Sequence, residues 1–371
     1  MSARKTILSF AISAMLLVTV YGQGNDFKTY SNYDFIAGNK VLFFDDFSTG
    51  NIGDFPAMWN TSGSGEIVTA DKSERWFKIN PSSMTFTDAG LKYAENFTIE
   101  FDLLVTKNED DLESFQISLF TSGPDFGGLA ATDLYPGKWG INMNFATLFQ
   151  GDKEATDYAH DYRLYDNVTE KGSEGKYSKI SKILELKKVY RFSIWVQKTR
   201  LRLYIDEEKI YDIQRAFPAN SKIDQIRFWA PEGSSASLFL ANFRYADAGE
   251  DTRSKFITEG KLVSYGIYFD SGKDVVKPQS YGAIKEMAGI LKDNPQVKVL
   301  IVGHTDSDGD DAKNLDLSKR RAGNVKKVLV SEFKIDESRI TTEGKGEVEP
   351  IAPNTNAENK ALNRRVEFIK Q

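Results

Sequence analysis

The sequence predicts a two-domain protein in which an N-terminal all-β antiparallel sandwich precedes a C-terminal α+β domain. The length of 371 residues, with 40% hydrophobic and 27% charged residues, allows two domains with sizeable cores. Short segments of alternating apolar and polar residues fill the region 25–246, whereas strand and helix patterns alternate in the region 257–371. The polar stretch 247–256 is predicted to be the linker between them.

The first residues have the pattern of a secretory signal peptide. Arg4 and Lys5 precede an apolar run from Ile7 to Val20, which is shorter than the roughly 20 residues that a membrane-spanning helix needs. Val20 and Gly22 then offer small residues that a signal peptidase recognises. Residues 1–22 are therefore predicted to be a signal peptide and the rest of the chain to be exported; the alternative is a retained membrane anchor.

Composition excludes several functional classes. The chain has no cysteine, so disulfides, thiolate metal sites and a cysteine nucleophile are excluded. The chain has only two histidines, His160 and His304, so a histidine-based active site is not expected. The net charge of −5 argues against nucleic-acid binding, which needs concentrated Lys and Arg. We therefore expect no cofactor, no metal site and no nucleic-acid partner.

The N-terminal region has a regular strand pattern. In Phe97–Leu103 the apolar side chains take every second position, as in a half-buried strand. Arg191–Val196 and Leu201–Ile205 are predicted to be two strands joined by a turn, and Gln225–Ala230 and Ser237–Arg244 to be a further strand pair. Many short strands separated by polar loops predict an antiparallel sandwich or barrel.

The C-terminal region has the pattern of a compact α+β domain. Pro278 is predicted to open a helix that ends at Asn294, because proline fits the first helical turn and Pro295 cannot continue the helix. A second helix is predicted to run to about Phe333. The predicted strands are Val263–Phe269, Val297–Val302, Ile340–Gly344 and Arg364–Lys370.

The second helix carries an arginine on its apolar stripe. That stripe also holds Asn314 and is defined by Leu317, Val325, Val328 and Leu329. An inward-facing guanidinium requires a carboxylate or phosphate partner, because it cannot lose its charge. Asp306, just beyond the end of a predicted strand, could form an internal salt bridge with Arg321. Alternatively, the two could lie side by side and bind a ligand that carries both an ammonium and a carboxylate.

Several separated motifs in this region resemble the OmpA-like peptidoglycan-binding domain in order and spacing. They are Ile267–Gly272, Gly303–Asp306, Asn314, Leu317–Ser318, Arg321–Ala322, Val325, the segment from Gly344 to Pro350, and Asn363–Glu367. The resemblance implies that the ligand is the meso-diaminopimelate of the peptidoglycan stem peptide. Asp306 would receive its ammonium and Arg321 its carboxylate.

Three further residues complete the peptidoglycan site that the resemblance implies. Asn314 and Arg364 match positions that support the peptide, and Thr305 belongs to the same motif as Asp306. The resemblance also implies a protein of the periplasm that is associated with the cell wall and the outer membrane.

The acidic loop after the buried strand admits a calcium site as an alternative. Asp306, Asp308, Asp310 and Asp311 suit an EF-hand loop, but that loop needs glycine at position six. Gly309 falls at position four, so a solvated acidic loop is favoured. His304 is predicted to be structural, because no second histidine lies near it in sequence.

The N-terminal region loosely resembles laminin-G or concanavalin A-like jelly rolls. The likeness rests on Phe43–Phe47, Trp59 and the stretch Tyr190–Ile213. It implies a lectin-like module whose partner is a glycan or an envelope protein. Three tryptophans, Trp76, Trp139 and Trp229, could stack on sugars, although aromatic residues of a sandwich more often belong to its core.

The whole chain admits two alternative functions, a wall-glycan hydrolase and an outer-membrane barrel porin. Glu100-Phe101-Asp102 begins like a glycoside hydrolase motif, but Leu104 and Val105 stand where the second glutamate is needed. Glu100 and Asp102 are therefore predicted to be outward-facing strand residues, with no catalytic residue. An outer-membrane barrel porin with an OmpA-like tail is disfavoured by charged residues within the strands and by long loops. The expected function is non-catalytic anchoring to peptidoglycan.

Overall fold

A computed structural model describes residues 33–70, 74–87, 94–106, 113–122, 135–148, 160–168, 171–177, 184–231, 235–249 and 252–371. The predicted signal peptide, residues 1–22, lies outside these ranges. Within them, no helix is long and apolar enough to cross a membrane.

The N-terminal region folds into strands that pair into two sheets. The described strands are β1 (Lys40–Asp45), β2 (Trp59–Thr61), β3 (Gly65–Ala70), β4 (Glu74–Ile79), β5 (Met84–Thr87), β6 (Asn96–Thr106), β7 (Glu113–Thr121), β8 (Trp139–Leu148), β9 (His160–Asp166), β10 (Lys171–Tyr177), β11 (Leu184–Glu185), β12 (Tyr190–Gln197), β13 (Arg200–Ile205), β14 (Glu208–Ile213), β15 (Gln225–Trp229) and β16 (Ser237–Asp247).

Both sheets are largely antiparallel. The first sheet has the order β14-β13-β12-β6-β16-β4-β3, and β1 pairs with the C-terminal half of β16. The second sheet has the order β10-β9-β8-β7-β15-β5-β2, and β11 joins β8 in parallel. The predicted hairpin of β12 and β13 is confirmed, with Gln197 opposite Arg200 at its turn.

One hydrophobic core is shared by the two sheets. The period-two pattern of β6 turns Phe97, Ile99, Phe101 and Leu103 toward it. Phe101 meets Phe228 of the second sheet edge-to-face, with ring centroids 5.0 Å apart. Burial of these apolar faces holds the sheets together. The assignment to a jelly roll stays a prediction.

The two strands predicted near residues 225–244 form, but the prediction that they pair with each other is wrong. β15 and β16 both form, but β15 lies between β7 and β5 in the second sheet, whereas β16 lies between β6 and β4 in the first. Each strand sends alternate apolar side chains into the shared core. The pattern therefore predicts a strand but not the neighbour to which it bonds.

The C-terminal region is an α+β unit around a four-stranded sheet of order β17-β20-β18-β19, in which β18 is parallel to β19 and antiparallel to β20. Its described elements are α1 (Thr252–Glu259), β17 (Lys261–Ser264), α2 (Tyr281–Asp293), β18 (Val299–His304), α3 (Asp311–Ser331), β19 (Ile340–Gly346), α4 (Ala357–Asn363) and β20 (Val366–Lys370), with 3-10 turns at Pro278–Ser280 and Glu337–Arg339.

The four predicted strands and two predicted helices of this region are all present. The first strand ends at Ser264 instead of Phe269, because the chain leaves the sheet and forms a separate bridge between Phe269 and Val276. The sequence pattern does not predict α4, nor α1, which begins inside the expected linker.

The helix α3 packs closely on β18 and β19. Its buried face consists of Asn314, Ser318, Ala322, Val325 and Leu329. A Cβ added to Gly344 would lie 2.3 Å from the backbone nitrogen of Lys319, so the helix and the strand meet nearly backbone to backbone. Because this approach is centred on small residues, the predicted stripe is shifted: Leu317 and Arg321 lie at its edge and are half-buried.

Candidate functional site

Asp306 lies just beyond the end of β18, in the loop that leads into α3. The residue is 8% exposed. Its Oδ2 accepts a hydrogen bond from Arg364 Nη1 at 2.6 Å, and its Oδ1 accepts one from the backbone nitrogen of Asp308 at 3.2 Å. Leaving a buried carboxylate without a cation costs several kcal/mol. Arg364, which follows α4, compensates this charge.

Arg321 approaches the same site from α3 and donates to backbone carbonyls. Its Nε lies 2.9 Å from the carbonyl oxygen of Lys273, and its Nη2 lies 3.2 Å from that of Asp270. The guanidinium also stacks over Phe269, 4.8 Å from the ring centroid. Among the described residues no carboxylate lies within 4.0 Å of it. Asp306 and Arg321 therefore do not form an internal salt bridge, the first of the two alternatives for this pair.

The charge of Arg321 is uncompensated by direct contact. Burial lowers the pKa of Arg321, the negative charge of Asp306 opposes this, and the positive charge of Arg364 adds to it. The carbonyls use Nε and Nη2, and Nη1 makes no hydrogen bond to any residue in the described ranges. Nη1 can thus donate to an added carboxylate.

The carbonyls that bind Arg321 are the part of the site that sequence reasoning missed. Backbone groups of Asp270 and Lys273 carry no side-chain signature. The only signal was indirect, because Ile267–Gly272 is one of the segments on which the family resemblance rests.

Asn314 and Thr305 shape the loop that carries Asp306. Asn314 Nδ2 lies 3.3 Å from the carbonyl oxygen of Asp306, 3.1 Å from that of Asp308 and 2.7 Å from Glu347 Oε2. The Thr305 hydroxyl is buried and has no hydrogen-bond partner in the described part of the chain. Asn314 therefore fixes the loop, and Thr305 offers a hydroxyl next to Asp306.

Two of the other aspartates of this loop, Asp308 and Asp310, have partners of their own. Asp308 pairs with Lys360 at 2.7 Å. Asp310 caps α3 by accepting a hydrogen bond from the backbone nitrogen of Lys313 at 3.0 Å. Across the described ranges, no three His, Asp or Glu residues form a group that could hold a metal ion. These contacts favour the solvated loop over the calcium alternative.

Comparison with known proteins concerns this same segment. Residues 268–364 match the OmpA family. They form an OmpA family domain.

Curated relatives match this chain over stretches of about the length of that domain. Outer membrane porin F of Pseudomonas aeruginosa is 43% identical over 111 residues, which are 30% of this chain and 32% of that protein. The probable lipoprotein YiaD of Escherichia coli is 42% identical over 102 residues, which are 28% of this chain and 46% of that protein. This chain therefore spans less than half the length of these curated relatives.

Among solved structures, the peptidoglycan-associated lipoprotein from Burkholderia pseudomallei is 30% identical to this chain. The match covers 28% of this chain and 88% of that one, with a TM-score of 0.27.

Just beyond the matched segment, Glu367 of β20 is surrounded by charged side chains. Arg365 Nε and Lys261 Nζ each lie 2.9 Å from its carboxylate, and His304 Nε2 lies 3.6 Å away, longer than an ordinary hydrogen bond. Burial opposes ionisation of Glu367, but contacts with His304, Lys261 and Arg365 hold its pKa well below the usual range. These contacts agree with a structural role for His304.

Glu100, the first carboxylate of the hydrolase-like motif, lies against the OmpA family domain. Glu100 is 1% exposed. It accepts a hydrogen bond from Arg244 Nη1 at 2.7 Å and one from the Tyr268 hydroxyl, and it pairs with Arg191 at 3.4 Å. Asp102 pairs with the same Arg191 at 3.2 Å. Glu100 does lie on the outward face of β6, opposite the core side chains Phe97, Ile99, Phe101 and Leu103, but Tyr268 of the OmpA family domain covers it there.

The three tryptophans that could stack on sugars are not fully exposed. Trp76 is buried, and Trp139 and Trp229 are half-buried. The Trp229 ring centroid lies 5.2 Å from the guanidinium of Arg227. Trp76 therefore fits the alternative prediction, a packed aromatic residue.

Proposed function

We propose that this chain is a non-catalytic protein of the bacterial cell envelope that binds peptidoglycan through its OmpA family domain. The family match at residues 268–364 supports this proposal. Relatives named as an outer membrane porin and a probable lipoprotein support a place in the envelope. We infer that the protein is exported to the periplasm and associates with the cell wall and the outer membrane.

The observation that carries the proposal is the uncompensated charge of Arg321 in the same site as Asp306. Diaminopimelate presents an ammonium and a carboxylate on one carbon at its side-chain end. Its carboxylate would accept from Arg321 Nη1, and its ammonium would donate to Asp306, which also holds Arg364 at 2.6 Å. The buried Thr305 hydroxyl adds a polar contact, and Asn314 keeps the loop in place.

These contacts set the expected strength of binding. Hydrogen bonds to charged groups contribute about 1.5–3 kcal/mol each. One stem peptide is therefore expected to bind with low or moderate affinity. A wall that offers many stem peptides offsets this by raising their local concentration.

We further propose that the N-terminal region, 25–246, is a jelly-roll sandwich whose partner is a glycan or an envelope protein. In this division of the chain, residues 247–256 are a linker and residues 257–371 are the peptidoglycan-binding region. The separate hydrophobic cores of the two regions support this division. The region lacks a free carboxyl pair at its hydrolase-like motif, because Arg191 and Arg244 hold Glu100 and Asp102. This supports a binding role without catalysis.

Co-sedimentation with diaminopimelate-type peptidoglycan tests the proposal. Asp306→Ala and Arg321→Ala should stay in the supernatant while wild type pellets. Arg320→Ala is the matched control, because Arg320 is the next residue of α3 and instead pairs with Asp274 at 3.1 Å. Circular dichroism checks that each variant is folded. Equal pelleting of wild type and all three variants would overturn the assignment of the site.

A further inference from the structure

The first sheet touches the OmpA family domain at Arg364. The described residues between Tyr33 and Gln371 belong to one compact unit. Phe44 of β1 is half-buried, and its ring centroid lies 5.7 Å from the Arg364 guanidinium. Arg364 in turn holds Asp306 at 2.6 Å. Phe44 of the N-terminal region therefore contacts the arginine that pairs with Asp306, the proposed ammonium-binding residue.

A second contact leads to Arg321. The Tyr268 hydroxyl donates to the buried Glu100 of β6, and the Tyr268 ring lies 5.6 Å from the guanidinium of Arg191. The next two residues, Phe269 and Asp270, supply the ring and one of the carbonyls that hold Arg321. The carboxylate side of the proposed site is therefore also joined to the first sheet.

The seam between the two regions is tightly packed. Tyr33 and Phe35 form a cluster with Trp195 and Tyr204 of the first sheet, and Tyr281 of α2 packs against that cluster. A Cβ on Gly282, the next residue of α2, would lie 1.7 Å from the carbonyl oxygen of Phe35. Even an alanine would not fit there, so the seam holds the two regions in a fixed relation.

From these contacts we propose that the first sheet positions both halves of the peptidoglycan site: Phe44 orients Arg364 and hence Asp306, and Glu100 fixes Tyr268 and hence the segment that binds Arg321. Phe44, Glu100 and Tyr268 are positioning residues that do not touch the ligand. The inference rests on the proposed function. It implies that the N-terminal region contributes to peptidoglycan binding and is not an independent domain.

Phe44→Leu tests the Arg364 side in the full chain. It keeps an apolar side chain but removes the ring face, so the affinity for a soluble diaminopimelate-containing muropeptide should fall by about two- to fivefold. Phe44→Tyr keeps the ring and should restore wild-type affinity. The control is Phe239→Leu, because Phe239 is half-buried on β16 opposite Lys78 and Leu104. Equal affinity of Phe44→Leu and wild type would overturn this half.

Tyr268→Phe tests the Arg321 side, because it removes only the hydroxyl that donates to Glu100. We expect up to a roughly tenfold loss of affinity for the diaminopimelate peptide. Affinity for the matching peptide with lysine should not change, because lysine lacks the carboxylate that Arg321 would bind. Tyr265→Phe is the control: Tyr265 lies by Arg244, and its hydroxyl has no hydrogen bond to the described residues. A similar loss for both peptides would mean a general structural defect and would contradict the inference.

Arg321→Ala distinguishes a failure of the proposed function from a failure of the positioning role alone. If it binds the diaminopimelate peptide as well as wild type does, the proposed function falls and the positioning role with it. If it loses binding while Phe44→Leu and Tyr268→Phe bind like wild type, only the positioning role is overturned. Thermal unfolding of every variant confirms that a loss of affinity is not a loss of fold.

Discussion

Arg321→Lys should abolish most of the affinity for diaminopimelate although it keeps the positive charge. The guanidinium reaches the carbonyls of Asp270 and Lys273 through two nitrogens and leaves a third for the ligand. One ammonium cannot span these positions, since it is a compact charge on a flexible stem. Losing one hydrogen bond to the ligand carboxylate, about 1.5–3 kcal/mol, corresponds to a roughly 10- to 150-fold weaker affinity.

Isothermal titration of the purified chain with a diaminopimelate-containing muropeptide measures this loss. The same substitution at the neighbouring residue, Arg320→Lys, should leave the affinity unchanged. The lost carbonyl contacts should cost Arg321→Lys about 1–2 kcal/mol of unfolding free energy. An affinity of Arg321→Lys within about threefold of wild type would refute the argument that the forked guanidinium is needed.

Three further predictions concern stability. Burial raises the pKa of Asp45 from 3.8 to about 6, so the native state holds the proton more tightly than the unfolded state does. Relative to Asp45→Asn, the wild type should therefore be most stable below pH 3.8 and should lose at most about 3 kcal/mol of unfolding free energy as the pH rises through 6. Thermal melts across this pH range measure the loss. Glu367→Gln should cost about 3–5 kcal/mol in urea unfolding at pH 7, and the difference should shrink in acid because the pKa of Glu367 is lowered. Gly344→Ala should cost about 1–3 kcal/mol through overlap with Lys319, whereas Gly323→Ala on the open side of α3 should stabilise by about 0.5–1 kcal/mol.

The sequence predicts local structure well because its periodicities are local. The alternation of Phe97–Leu103 predicts β6, and the buried run Val297–Val302 predicts most of β18. Which strands pair with each other depends on the packing of the whole core. The sequence around β15 and β16 therefore does not indicate that these two strands lie in different sheets.

The candidate site is predictable in its residues but not in its bonding. Family motifs bring Asp306, Arg321 and Arg364 to attention, yet they do not show that Asp306 pairs with Arg364 while Arg321 takes backbone carbonyls. Glu100 shows the same limit. Alternation places it opposite the core, but nothing local indicates that Tyr268 will cover it from 168 residues away.

The central claim is that the site recognises a carbon that bears both an ammonium and a carboxylate. Titrating the wild-type chain with two stem peptides, identical except that one carries diaminopimelate and the other lysine, tests it most directly. We expect at least about tenfold tighter binding of the diaminopimelate peptide, because only that peptide has a carboxylate for Arg321. Equal affinity for the two peptides would contradict the account and would leave the charge of Arg321 without a ligand.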